Sequence, residues 1–437
     1  MPIRRGRVRC DDVGPVARRG HGVEFSSVGC ASNLALAAGR NDRAGVDVGV
    51  QISSVGYSAL HGHPWGAHRS ADTTECVPRV SEPILSARQL NRAMLARQLL
   101  LERSTLPLAE ALEQVGGLQP QYAPSGYIGL WSRLDGFRRA SLTEALERRR
   151  AIQATLMRAT IHLVSVDDFR LFAEGTRRAR REGWLRFVRT QLDGIDMNAV
   201  ADRVRVHLAD GPRRNEEMLR LLENDGYTRI AWVGIGHWVD LVRVPPSGTW
   251  EQRRADLFGL AEDWLDASDT ASGAAEPPTE ADGLTHLVRR YLGGFGPAPL
   301  VDIANWAGVP VTLLRPVLER LSLRRYRDEA GRALVDLPSA ALPDPGTPAP
   351  VRFLPTWDAT LLAHARRTGI LPEEYRPLVF NTKTPHSVPT FLVDGVVAGT
   401  WRHEKGTVRL APFGDLATSV ELELRDEAER LAAFHSA

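Results

Sequence analysis

Lysine is almost missing from this chain of 437 residues: Lys383 and Lys405 are the only two, and every other basic side chain apart from histidine is arginine. A GC-rich genome explains such a bias, although arginine also suits phosphate because its fork is planar and bidentate. Cysteine is nearly as scarce. Cys10, Cys30 and Cys76 all precede residue 80, none at a metal-ligand spacing, which excludes a structural zinc or a disulfide from the remainder and fits a reducing, cytoplasmic setting. No apolar run approaches the roughly 20 residues of a membrane span. The net charge is only +2, so no global basic field argues for an anionic partner, and only the distribution of charge can. The sequence has no HExxH, P-loop, CxxC pair, GxSxG elbow or convincing GxGxxG. What remains is an ordinary soluble composition, 43% hydrophobic and 25% charged, in a length that allows two to four domains at roughly 150 residues each.

Residues 1–82 sustain neither a 3.6 nor a 2 residue period and are rich in Gly, Ser, Val, Arg and His. They hold neither an apolar signal core nor a small-residue cleavage site. The expectation is a disordered tail or a start assigned too far upstream, without a functional role.

Periodic structure begins at "ILSARQLNRAMLARQLLLERS", where Ser86 caps and Leu90, Met94, Leu95 and Leu99 recur at helical spacing. "LPLAEALEQV" is a second helix, stopped by Gly116-Gly117. "YIGLWSRL" follows, then "SLTEALERRR", whose Ser141-to-Glu144 spacing predicts a capping box. "AIQATLMRATIHLVS" predicts a two-stranded hairpin centred near Arg158 to Thr160. Helices closed by a hairpin are the plan of a winged helix, and the plan recurs twice, at residues 191–280 and 281–337, the latter hairpin turning at Glu329-Ala330-Gly331. The predicted fold is therefore α+β and mainly helical. Three tandem winged-helix units span 84–190 (with the following helix), 191–280 and 281–337, then a Pro-rich linker at 338–350 and a β-rich domain at 351–437. That last domain has turns at Asp394-Gly395 and Lys405-Gly406 and a closing helix.

Four stretches carry candidate chemistry. In "GGLQPQYAPSGYIGLWSRL", Gln119 and Gln121 flank Pro120 at a helix boundary, either as backbone caps or as holders of a water. In "LMRATIHLV", Arg158, Thr160 and His162 are two apart and would share one polar face of a wing facing DNA, or a solvated face. In "EGTRRARREGWLRFVRT", Arg177, Arg181 and Arg186 fall near one side of a helix suited to phosphates, again with a solvated face as the alternative, while Trp184 and Phe187 read as core. In "FLPTWDATLLAHARRTG", Asp358 and His364 are six apart on a predicted helix and so do not form a dyad. That helix would dock by Leu361 and Leu362 with Arg366 and Arg367 exposed.

Together, "LNRAMLARQLLL", "GLQPQ", "LWSRL", "MRATIHLVSVDDF", "RYLGGFGPAPLVDIANWAGV", "FLPTWDATLLAHARR" and "LVDGVVAGTWR" resemble the AlkZ/YcaQ family of winged-helix DNA glycosylases, in matching order and over essentially all of the chain after residue 83. The resemblance implies three tandem winged helices in a C-shaped arrangement with a β-rich C-terminal domain. It implies excision of N7-alkylated purines from double-stranded DNA, bulky adducts and azinomycin-type interstrand crosslinks in one branch, simpler adducts and crosslinks in the other. The family's catalytic pair is Gln-x-Gln or Gln-x-Asp, carried over here to Gln119 and Gln121. Arg158, Thr160, His162, Arg177, Arg181 and Arg402 are the candidate DNA contacts, with no metal or organic cofactor implied. Pro120 departs from the usual aliphatic middle residue and Ala359 stands where an asparagine is usual.

An N7-alkylated purine is cationic and already a good leaving group, so excision needs little general-acid help. It needs a placed water and a stabilised oxocarbenium-like sugar, which amide dipoles supply without titrating. The expectation gives Gln121 the water and Gln119 a supporting contact to sugar or water. A bulky crosslinked base is not easily flipped into a snug pocket, so the adduct is expected to stay in the duplex. Tandem units in one chain favour a monomer, located in the cytoplasm with the nucleoid and without a membrane partner. The competing readings are a non-catalytic winged-helix DNA-binding protein such as a regulator, and a degenerate paralogue without chemistry.

Overall fold

The computed structural model describes residues 82–437 apart from 193, 267–275, 366–367 and 381–386. The N-terminal segment, its three cysteines, Lys383, Arg366 and Arg367 thus lie outside the described residues. A short strand β1 (Ile84–Leu85) leads to α1 (Ala87–Arg97), which Ser86 caps, its hydroxyl accepting from the Gln89 amide at 3.1 Å. Then come α2 (Leu108–Val115), α3 (Ala123–Arg133), α4 (Arg139–Glu147), the hairpin β2 (Ala151–Thr155) and β3 (Ile161–Ser165), and the long α5 (Val166–Phe187). A second run holds α6 (Met197–Leu208), β4 (Arg213–Arg214), α7 (Asn215–Asn224), α8 (Arg229–Gly234), β5 (Leu241–Arg243), β6 (Leu257–Leu260) and α9 (Ala261–Asp266). A third holds α10 (Glu280–Phe295), α11 (Leu300–Ala307), α12 (Val311–Arg320), β7 (Arg324–Asp328) and β8 (Ala333–Asp336). The C-terminal part adds β9 (Arg352–Leu354), α13 (Arg376–Val379), β10 (Thr390–Val393), β11 (Val396–Glu404), β12 (Thr407–Pro412) and α14 (Thr418–Ser436). The fold is α+β.

Each of the first three runs has one order: a helix, a one- or two-residue strand, two helices and a hairpin. The lone strands are Leu118 bridged to Leu163, β4 paired with β6, and Ala298 bridged to Val335. The hairpins are not all separate. β2 pairs with β5 through Ala154 and Val242, so the first and second runs share one sheet of order β3-β2-β5-β6-β4. The third hairpin pairs with β1 instead, and the C-terminal strands form their own sheet, β12-β11-β10-β9. Its turns at Asp394-Gly395 (φ 45° and 79°) and Lys405-Gly406 (φ 49° and 78°) have two consecutive left-handed residues, which matches the twist of a two-residue hairpin.

The first and third runs meet where α5 crosses α10 at Gly175 and Gly283. A Cβ on Gly283 would lie 2.3 Å from the Gly175 nitrogen, so the backbones touch and only hydrogen fits. The Pro-rich stretch at 338–350 lies along α1, where Nε of Arg88 and Arg92 donate to the carbonyls of Pro345 and Thr347 at 2.7 and 2.6 Å.

Several local expectations change. Ser141 lies inside α4, and the helix starts two residues earlier behind Arg138, which makes no side-chain cap. Trp184 is core but Phe187 is 61% exposed, because α5 ends there and its last turn projects past the packed face. Residues 359–361 make a single 3-10 turn, not a helix, since the Asp358 carboxylate accepts from Thr360 N–H and holds the chain in a tight turn.

Candidate active site

The two glutamines sit in the link between the lone strand and α3. α2 ends on Gly116 and Gly117, both with φ above +70°, and Gly117 donates to the Leu112 carbonyl at 2.8 Å. A Cβ on Gly117 would meet Val164 Cγ1 at 2.8 Å, so the chain passes β3 only as glycine. Leu118 and Leu163 then exchange both backbone hydrogen bonds, at 3.0 and 2.8 Å. From that anchor Gln119, Pro120 and Gln121 make a three-residue turn, the Gln121 amide donating to the Gln119 carbonyl at 3.0 Å. The middle residue of such a turn has φ near about −75° and needs no N–H, and proline supplies both conditions. Pro120 therefore builds the turn between the two amides.

The glutamines differ in freedom. Gln119 is buried, and its Oε1 accepts from Arg158 Nη2 at 2.6 Å. Arginine has only donors, so the amide oxygen must face Arg158 and the –NH2 must face away. Gln121 is half-buried, and among the described residues its side chain makes no hydrogen bond.

Arg158 is held from a third element. It stands at the tip of the β2–β3 hairpin with φ 53°, and its Nη1 donates to the Trp306 carbonyl in the last turn of α11, the negative end of that helix. Gly308 closes α11 with φ 71°, and a Cβ there would lie 2.7 Å from the Arg158 nitrogen. The end of α11 thus fixes the guanidinium that turns Gln119.

The remaining predicted residues are not gathered around this point. Arg158, Thr160 and His162 do not line one strand face, because residues 157–159 form a 3-10 turn and alternation resumes only at Ile161. Thr160 Oγ1 donates to the Met157 carbonyl at 3.1 Å. His162 is buried on β3, which is covered on both faces, with Nδ1 3.0 Å from the Thr160 carbonyl. Burial, then the Arg158 charge, pushes its pKa down to about 3, so the ring is neutral. Arg177 grips both oxygens of Asp240, at 3.2 and 2.8 Å, and Glu174 at 3.0 Å. Arg181 donates to the His237 carbonyl at 2.8 Å and lies 5.6 Å over the Trp238 ring. Both join α5 to the second run. Arg402 is exposed on β11 beside Glu404, at 3.1 Å. Asp358 and His364 are apart in function as well: Asp358 is buried against Arg133, and His364 faces Asp302 at 3.3 Å.

Two contributors escape motif reading. The Trp306 carbonyl is backbone and carries no side-chain signature, and "WAGV" reads only as helix punctuation. Arg253, whose Nη1 donates to the Tyr122 hydroxyl at 2.6 Å, lies in the β5–β6 loop, 131 residues from Tyr122.

The family described as DNA glycosylase AlkZ-like matches residues 112–434 of this sequence. Among solved structures, the Streptomyces sahachiroi DNA glycosylase AlkZ aligns with a TM-score of 0.67 at 19% identity, covering 81% of this chain and 98% of that chain. The curated proteins contain no match.

Proposed function

This chain belongs to the AlkZ-like DNA glycosylase family, and from that premise we propose that it hydrolyses the N-glycosidic bond of N7-alkylated purines in double-stranded DNA with Gln121 as the water-positioning residue. As a member of a DNA glycosylase family it acts in DNA repair on DNA. The observation that carries the finer assignment is the unequal state of the two amides. Gln119 is locked with its oxygen on Arg158, so it offers N–H bonds to a sugar or water oxygen. Gln121 has no such tie among the described residues, leaving its oxygen available to accept from a water aimed at the anomeric carbon. Neither amide is a strong base, so the arrangement depends on a leaving group that is already cationic. Placement and fixed dipoles contribute several kcal/mol of barrier lowering.

The recurring order of helix, strand, two helices and hairpin supports reading the three runs as tandem winged-helix units. One chain then grips the duplex, and we assign the working form as a monomer in the cytoplasm. The exposed Arg402 is retained as a backbone contact. We assign a monofunctional reaction that leaves the strand intact.

The test is base release from a duplex carrying one N7-methylguanine. The expected result is release by the parent protein, an unbroken abasic strand, and loss of about 100-fold or more in Gln121→Ala with DNA affinity retained. Absence of release from this lesion and from a bulkier N7 adduct, with the duplex still bound, sinks the proposal.

A further inference from the structure

Beside the glutamine turn is a cavity of about 260 Å³ that the reaction described above does not use. Tyr122, which follows Gln121 directly, forms part of its wall, with Trp250 from the β5–β6 loop and Trp401 from β11. Arg253 and Arg402, both exposed, also line it, and no carboxylate does. Arg253 lies 5.7 Å from the Tyr122 ring centroid and 5.9 Å from that of Trp250. The far wall is a pair of stacked imidazoles, His403 and His435, with ring centroids 4.1 Å apart and planes 8° from parallel. Burial pushes His435 down to about 4 and lowers His403, so both rings are neutral near pH 7. Their Nε2 atoms are buried without a hydrogen-bond partner among the described residues, polar capacity that the fold leaves unused.

We propose that this cavity receives one unpaired nucleobase pushed out of the duplex at or beside the lesion, with its phosphates held by Arg253 and Arg402. Aromatic walls stack on a base whatever its identity, and guanidinium groups outside such walls suit the flanking phosphates. The volume is near the lower end of small-molecule sites, roughly 300–1,000 Å³, which admits one heterocycle. Among the described residues, a cavity of about 220 Å³ is lined by Asp302, Asp328 and Glu329 against the single Arg332, which disfavours a polyanion, and one of about 330 Å³ beside Arg289 and Arg290 has no Phe, Tyr or Trp in its wall. The inference rests on the glycosylase reading only for the presence of DNA. The alkylated base stays in the stack, and a neighbour or its pairing partner occupies the cavity.

Photocrosslinking tests this without turnover. A duplex carrying a stable tetrahydrofuran abasic analogue has 5-iodouracil either opposite the analogue or one step away on the same strand. Irradiation of the full chain is expected to crosslink the peptide holding Tyr122, Trp250 or Trp401, and the arm that reacts identifies the occupant. Pro389→Trp fills the cavity from its half-buried edge and is expected to abolish the crosslink and weaken binding about tenfold. Thr356→Phe fills it from another wall and serves if the first variant does not fold. Crosslinks that map elsewhere, or that survive filling, overturn the proposal. Assaying N7-methylguanine release on the same preparations separates the two readings. Release without a cavity crosslink overturns only the cavity, a cavity crosslink without release overturns only the catalytic reading, and failure to bind the duplex overturns both.

Discussion

At the residue scale, Arg158 joins two roles that the sequence kept apart. "MRAT" reads as a hairpin tip, and the family resemblance makes "QPQ" the proposed catalytic pair. Their contact was not legible, because 39 residues separate Arg158 from Gln119 and a left-handed turn residue carries no periodic signal. Arg158→Ala is expected to lower the single-turnover excision rate about 10- to 100-fold with duplex affinity nearly unchanged, the pattern of a misplaced amide. An equal loss in rate and binding would make Arg158 a simple DNA contact. The buried histidines set a pH dependence of stability. His162 and His237 are both held near pKa 3 by burial and neighbouring arginines, whereas unfolded histidine titrates near 6.5. Below about pH 6.5 the unfolded chain therefore binds protons that the native chain refuses, and stability falls as pH falls toward about 3. Each histidine contributes up to about 1.4 kcal/mol per pH unit in that window. Urea midpoints at about pH 7.5 and about pH 5, above the carboxylate range, are expected to drop at the lower pH. His162→Leu should make that drop shallower.

Elements reveal where local reading works. α1, α2 and the first and third hairpins were legible because their caps, glycine stops and turn residues act within a few positions, whereas the returning strand of the second, Leu257–Leu260, lies beyond the stretch that reads as hairpin-like. Leu118 was not legible as a strand, since one bridged residue has no alternation, and β3 is buried on both faces so its polar His162 imitates a solvent face. The crossing of α5 with α10 depends on Gly175 and Gly283, whose close approach no local pattern in the sequence signals. Gly283→Ala forces the helices apart and is expected to cost about 1–3 kcal/mol, visible as a lower melting temperature. At the end of α11, Gly308→Ala combines an unfavourable left-handed φ with a Cβ 2.7 Å from the Arg158 nitrogen. Excision should fall in that variant more steeply than stability does. Unchanged excision would show that α11 does not set the position of Arg158.

Across the whole molecule, ionic contacts tie segments that are distant in the sequence. Arg133 of α3 meets Asp358 after β9 in a bidentate pair at 2.9 Å, both side chains almost fully buried. Despite the desolvation that opposes it, the Arg133 charge keeps the Asp358 carboxyl below its ordinary value. Removing one partner strands the other charge, so Asp358→Asn is expected to cost about 3–5 kcal/mol in a denaturant titration. The double variant Arg133→Met, Asp358→Leu should recover much of that loss, and failure to recover would mean the pair does more than neutralise itself. Such pairs are unreadable in one dimension: "TWDA" and "LWSR" are 225 residues apart, and neither names its partner.

The strand pairing of Ala154 with Val242 acts as a caliper. Because Ala154 and Val242 join the first two runs in one sheet, hydrogen-bonded geometry sets the span from the glutamine turn to the second run. On the double-stranded-DNA reading proposed above, the duplex then supplies part of the fit, at a bending cost that depends on its base steps. Lesions flanked by pliable TA or CA steps should be found and processed faster than the same lesion inside a stiff A-tract. The protein would thus acquire a sequence preference from stiffness alone, without reading a single base edge.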